Sequence, residues 1–184
     1  MTNSLEINNI FSFKNFHIFE KEDKSDFIKI ILDDKNKYFE KVGYDNAINS
    51  NVPLTINTHT NKLYDKFLTL SQKNFGPFNL LKNNSNKCWS LLTNKNNYAS
   101  VPHDHIKTSV INSVYYLSVP EQKGNIQFYI DEKWIDYQPD ENELLIFPNY
   151  LKHNTTKNDT EEWRISINME IICDFDWSKF NIVK

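Results

Sequence analysis

The stretch EWRISINMEII, residues 162–172, alternates too regularly to be anything but an extended strand. Successive strand side chains point to opposite faces, so Trp163, Ile165, Ile167, Met169 and Ile171 share one side. Arg164, Ser166, Asn168 and Glu170 share the other. Such a strand packs one face on a core and turns the second toward something wet. Arg164 is the one arginine of the chain; every other basic side chain is a lysine. A guanidinium is a planar fork that grips a carboxylate at two points, which an ammonium cannot do. In this row it serves either an anionic ligand or a salt bridge to Glu161, Glu162 or Glu170.

Working back from that strand, five more short β-branched and aromatic runs follow the same period. They are CWSLLTN (88–94), TSVINSVYYLSV (108–119), NIQFYI (125–130), KWIDYQ (133–138) and ELLIFP (143–148). PEQKGN, DEK, PDENE and KNDTEE supply the turns between them. Six runs at this spacing predict a β-sandwich or barrel. The first part reads differently. IFSFKNFHIFE (10–20) suits an early strand. Residues 24–42 carry Phe27, Ile28, Ile31, Leu32 and Phe39 at helical spacing, with Ser25 as a candidate cap. A polar stretch over 43–60 precedes a second helix over 61–75, with Leu63, Phe67 and Leu70 on one side. These helices are expected to cover the outer face of one sheet, leaving its other face to line a pocket. The expected layout is a single domain over 1–184: supporting elements in 1–86, a β core in 87–172 and a tail in 173–184.

Composition narrows the functional classes. With 39% hydrophobic and 14% aromatic residues the chain can build a packed core, and its net charge of −3 comes without any basic block. That argues against a phosphate-backbone binder. No apolar run reaches the length of a membrane span and MTNSLEINNIFSF lacks a signal pattern, so a cytoplasmic location is expected. Two cysteines, Cys88 and Cys173, are too few for a disulfide framework and sit in strand-like contexts, which predicts reduced, buried thiols. With three glycines there is no phosphate-cradling loop, and no Ser-His-Asp or Cys-His arrangement stands out.

The chemistry concentrates in the histidines. SVPHDHIKTS (100–109) holds His103 and His105, which on a strand would present both rings to one side and Asp104 to the other. LLIFPNYLKHNT (144–155) holds a buried strand that ends at Pro148, turns, and delivers His153. Three neutral imidazoles suit a first-row divalent metal with positions left open. His105 and Tyr116 differ in phase, so a break is expected between Ile106 and Ser109. His17 and His59 lack such neighbours and read as surface or capping residues.

His-x-His, VYYL, FP…H and R-x-S in that order resemble the catalytic core of the 2-oxoglutarate, Fe(II)-dependent oxygenases, and most of all a small oxygenase family related to prolyl hydroxylases. The resemblance covers roughly residues 87–172. It implies a mainly β fold, the double-stranded β-helix (a jelly-roll or cupin-like barrel), with helices packed on the larger sheet. It implies that His103 and His153 are metal ligands, and that Arg164 and Ser166, with Tyr116, bind the distal carboxylate of 2-oxoglutarate. The third ligand departs from the superfamily's usual His-x-Asp or His-x-Glu: here it is His105, unless a local bulge brings in Asp104. Three neutral ligands make the site about one charge unit more positive and make zinc a plausible occupant beside Fe(II). The implied activity is hydroxylation of a substrate coupled to oxidative decarboxylation of 2-oxoglutarate, with ascorbate as a possible aid. Two alternatives stand beside it: a cupin-like metal protein acting as isomerase or binding module, and a non-catalytic relative. The sequence does not choose among a protein residue, a nucleobase and a small molecule as substrate. Aromatics in NYASV (97–101) or DFDWSKF (174–180) could support a dimer.

Overall fold

The computed structural model describes residues 6–7, 9–42, 51–81, 87–96, 101–121 and 124–179. Among these, β10 (Arg164–Ile171) is an interior strand of a seven-stranded antiparallel sheet. It is flanked by β5 (Ile111–Ser118) on one side and β4 (Lys87–Thr93) on the other. β8 (Leu144–Pro148), β2 (Ile10–Phe13) and β1 (Glu6–Ile7) continue the sheet beyond β5, and β3 (Asn51–Pro53) closes it beyond β4. A smaller sheet has the order β7 (Lys133–Tyr137), β6 (Ile126–Ile130), β9 (His153–Thr155). This is the mainly β jelly roll that the alternating runs predict, and all six of those runs are strands.

Two hydrophobic layers separate the faces of the larger sheet. The outer one joins Ile165, Ile167 and Met169 of β10 to Tyr115 and Leu117 of β5, Leu144 and Ile146 of β8, and two helices. Phe27 and Ile31 enter it from α1 (Lys21–Val42), and Leu63 and Phe67 from α2 (Thr58–Phe75), all four fully buried. The inner layer lies between the two sheets and contains Val114, Tyr116, Ile126, Phe128, Leu145 and Phe147. β5 and β8 supply both layers from alternate residues, which is why INSVYYL and LLIFP are buried along nearly their whole length.

Several local expectations change. α1 begins four residues before Ser25, so Ser25 lies inside the helix and does not cap it. Glu22 and Asp23 in the first turn suit the positive end of the helix dipole instead. The side chain of Phe39 lies outside the described residues. α2 starts at Thr58 because Asn57 accepts from the His59 and Thr60 backbone N–H groups while Thr60 Oγ1 accepts from Asn57 N, a closed capping box. Leu70 stays half-buried, and Tyr64 joins Leu63 and Phe67 on the packed side. β1, β3 and β9, two or three residues each, have no periodic signature. Phe175 and Trp177 are not free aromatics: both pack on the outer layer, and Trp177 Nε1 donates to the Val110 carbonyl at 2.9 Å. Tyr98 of the other aromatic stretch lies outside the described residues.

Both cysteines are free thiols, raised by burial to about 12 for Cys88 and about 11 for Cys173. Ring stacking on Phe27, 5.1 Å between centroids, accounts for His59. No helix among the described residues is long and apolar enough to cross a membrane.

Candidate functional site

The wet face of β10 opens on a cavity of about 500 Å³ between the two sheets. His103, His105, His153, Tyr116, Arg164 and Ser166 all line it, whereas Asp104, the alternative ligand, does not.

The histidines come from two short stretches that meet. His103 and His153 exchange backbone hydrogen bonds, His103 N to His153 O at 3.0 Å and His153 N to His103 O at 2.9 Å. Strand presentation of His103 and His105 is not what brings their rings together: His103 makes this single bridge, and His105 lies in irregular chain. Asn149, just past β8, holds the His105 loop instead. Its carbonyl accepts from His105 N at 2.9 Å, its N–H donates to Val110 O, and its Nδ2 donates to Ser109 O at 2.6 Å. The chain turns over Ile106–Thr108, which is the break that the phase difference with Tyr116 requires. Asp104 is exposed, and its Oδ1 accepts from Ile106 N in starting that turn.

One ring nitrogen from each of His103, His105 and His153 lies within 4.8 Å of the other two, a set that could hold a metal ion. Each Nδ1 has a partner behind it: Val101 O at 2.8 Å for His103, Leu151 O at 2.9 Å for His153, and Glu170 Oε1 at 2.8 Å for His105. A carbonyl oxygen can only accept, so His103 and His153 carry the proton on Nδ1 and keep Nε2 as the lone pair, and the Glu170 carboxylate favours the same tautomer at His105. Burial, with His103 and His105 close by, pulls the His153 imidazolium down to about 3, so that ring is neutral across the physiological range.

At the other end of the polar row, Arg164 is buried beneath Gly124. A Cβ on Gly124 would lie 2.5 Å from Thr156 O, 2.8 Å from Lys157 O and 3.1 Å from the Arg164 guanidinium, so only glycine lets the chain pass here. Arg164 Nη1 donates to Asn125 O at 3.4 Å and the guanidinium carbon lies 5.2 Å from the Tyr116 ring centroid. No carboxylate pairs with Arg164 among the described residues: Glu161 meets Lys95 and Glu170 meets His105. A register shift between Ile165 and Ser166 sets Ser166 directly opposite Tyr116. Buried Arg164 Nε, Tyr116 Oη and Asn168 Nδ2 have no hydrogen-bond partner. Burial raises the Tyr116 hydroxyl to about 12 against the pull of Arg164, so it stays a proton donor. Three unpaired donors along one wall are what an anionic or carbonyl-rich ligand would satisfy.

Trp89, Asn168 and Glu170 also line the cavity, and the sequence reading gave them no role in it. Asn168 and Glu170 were legible as wet-face residues, but the Glu170–His105 contact depends on a loop the period does not reach. Trp89 stands opposite Asn168 only because β4 pairs with β10 in that register.

Residues 129–170 match the family model described as "Putative 2OG-Fe(II) oxygenase". No curated protein matches the sequence significantly. Among solved structures, a Trichoplax adhaerens prolyl hydroxylase, in complex with a hypoxia inducible factor oxygen degradation domain peptide fragment, is similar at 14% identity and a TM-score of 0.63, over 96% of this chain and 88% of that one. A prolyl 4-hydroxylase structure from Phytophthora capsici is similar at 10% identity and TM-score 0.61, over 91% of this chain but 59% of that one. The nogalamycin-biosynthesis carbocyclase SnoK is similar at 9% identity and TM-score 0.59, over 91% of this chain and 81% of that one. The chain thus carries the jelly-roll fold of the 2-oxoglutarate/Fe(II) oxygenases, and the segment from Tyr129 to Glu170, which holds His153 and Arg164, matches that family's model.

Proposed function

We propose that this chain is a 2-oxoglutarate-dependent oxygenase in which His103, His105 and His153 hold Fe(II) while Arg164, Ser166 and Tyr116 hold the distal carboxylate of 2-oxoglutarate. The observation that carries this reading is the pairing, in one cavity, of three tethered imidazoles with the orphaned donors of Arg164 and Tyr116. The donor set fits both groups: nitrogen lone pairs suit a first-row metal, and a buried guanidinium without a carboxylate partner suits an incoming dianion.

When bound, the iron supplies oxygen activation, one atom of O2 passing to 2-oxoglutarate as it loses CO2 to become succinate and the other to a substrate C–H bond. The protein's share is positional. Arg164, itself buried, grips the cosubstrate, Tyr116 donates its hydroxyl beside it, and the Nδ1 contacts keep the three rings aimed. Hydroxylation is the outcome the prolyl hydroxylase neighbours favour; the fold also serves an epimerase and a carbocyclase. The absence of a carboxylate from the candidate ligand set keeps a second reading in view, a zinc-holding or non-catalytic relative. A cupin-like binding module has no use for the orphaned Arg164.

The test is succinate release by stripped protein reloaded with Fe(II), with and without ascorbate. We expect iron-dependent succinate that falls to background in His153→Ala and requires far more 2-oxoglutarate in Arg164→Ala. Tight zinc binding with no succinate under any condition would replace this reading with the second.

A further inference from the structure

The three imidazoles are not held alike. His103 and His153 each face the carbonyl two residues back along their own chain, whereas His105 faces a carboxylate from β10, Glu170. Glu170 is only 4% exposed, and its Oε1 also accepts from Thr108 Oγ1 at 2.9 Å. Burying a carboxylate is costly unless its oxygens are well paired. Here it is kept against the Nδ1 side of a ring that belongs to the three-histidine set.

We propose that Glu170 is a positioning residue of the metal centre. It acts through His105 to supply, one residue removed, the negative charge that three neutral imidazoles lack. This inference rests on the reading of the three histidines as metal ligands. A carboxylate behind a ligating histidine fixes ring orientation and tautomer and makes the outward nitrogen a better donor. It also offsets part of a dication's charge without occupying a coordination position. Asp104, the carboxylate adjacent in sequence, starts its own turn in solvent and does not do this. β10 thereby carries the cosubstrate anchor at Arg164 and the metal's counter-charge at Glu170, about 20 Å apart at the rise of an extended strand.

The experiment uses Co(II) as the probe, added to metal-free protein and followed by calorimetry and by its visible absorption, so that turnover is not needed. Glu170→Gln can still accept from His105 Nδ1 but carries no charge. We expect it to weaken Co(II) binding by about 10–100-fold and to change the visible bands, with thermal unfolding of the metal-free protein little altered. Thr108→Val removes the hydroxyl that holds Glu170 and leaves the carboxylate; a smaller loss in the same direction is expected. It decides the matter if Glu170→Gln does not fold. Unchanged affinity and unchanged bands in the variants that fold would overturn the proposal. His153→Ala separates the two levels. Loss of Co(II) binding there, with Glu170→Gln unaffected, overturns the role of Glu170 alone. Tight binding that survives His153→Ala overturns the metal-site reading and this inference with it.

Discussion

Arg164 Nε and Tyr116 Oη are buried donors without a protein partner, so their contribution should show in cosubstrate affinity before it shows in stability. Arg164→Lys keeps the charge but loses the fork, and should raise the 2-oxoglutarate concentration for half-saturation by about 10–100-fold, from about 1.5–3 kcal/mol per charged hydrogen bond. Tyr116→Phe should cost roughly tenfold on the same scale. Calorimetric titration of metal-loaded protein with 2-oxoglutarate checks both. Gly124 makes a different prediction. Gly124→Ala drives a methyl into two backbone carbonyls and the Arg164 guanidinium, and should destabilise the fold by about 1–3 kcal/mol as overpacking does. Denaturant unfolding would show it, together with weaker cosubstrate binding. At this scale the sequence was informative where chemistry is rare: one arginine, and two histidines a residue apart. It was silent on Gly124, because a close approach of backbone leaves no periodic trace.

The elements show the same division. β10 was readable because eight alternating residues outvote any single position, and β5 and β8 because their β-branched and aromatic runs are bounded by turn residues. β9 and β3 were not, since three residues carry no period and their pairing is imposed by neighbours. The start of α2 was a missed local signal: Asn57 and Thr60 form a box whose chemistry is legible once position 57 is tried as the cap. Asn57→Ala should cost about 0.5–2 kcal/mol of stability and fray the first turn. Unfolding curves paired with far-ultraviolet circular dichroism would detect this, without loss of metal affinity, because α2 lies behind the larger sheet. The turn over Ile106–Thr108 was legible for another reason, the incompatible phases of His105 and Tyr116. Which groups would hold it, Asn149 above all, required the fold.

For the whole molecule, the buried tyrosines and thiols set an alkaline limit. Burial raises Tyr64 and Tyr116 from 10.0 to about 12, and Cys88 from 9.0 to about 12; Tyr115 and Tyr137 are also raised. In an unfolded chain these groups lose protons at their ordinary values, while the folded chain keeps them. Above that point the unfolded state binds fewer protons, so stability falls as pH rises. The contribution is complete below pH 9 and drains away between about pH 9 and 12, with no counterpart at neutral pH. Urea midpoints measured across that range should stay level up to about pH 9 and then descend, and tyrosinate absorbance should lag behind that of a denatured control. A descent beginning near neutrality would contradict the burial of these rings.

His103 and His153 are joined by two reciprocal backbone hydrogen bonds and carry two of the three candidate ligands. A clasp of a single rung opens easily by itself, and its two amide hydrogens should exchange with solvent far sooner than those of β5 or β10. An ion gripping both imidazoles would close that rung from the side-chain end. Slowed deuterium uptake at those two amides, with the amides of α1 and α2 indifferent, would then record occupancy of the centre even in a protein whose substrate is not in hand.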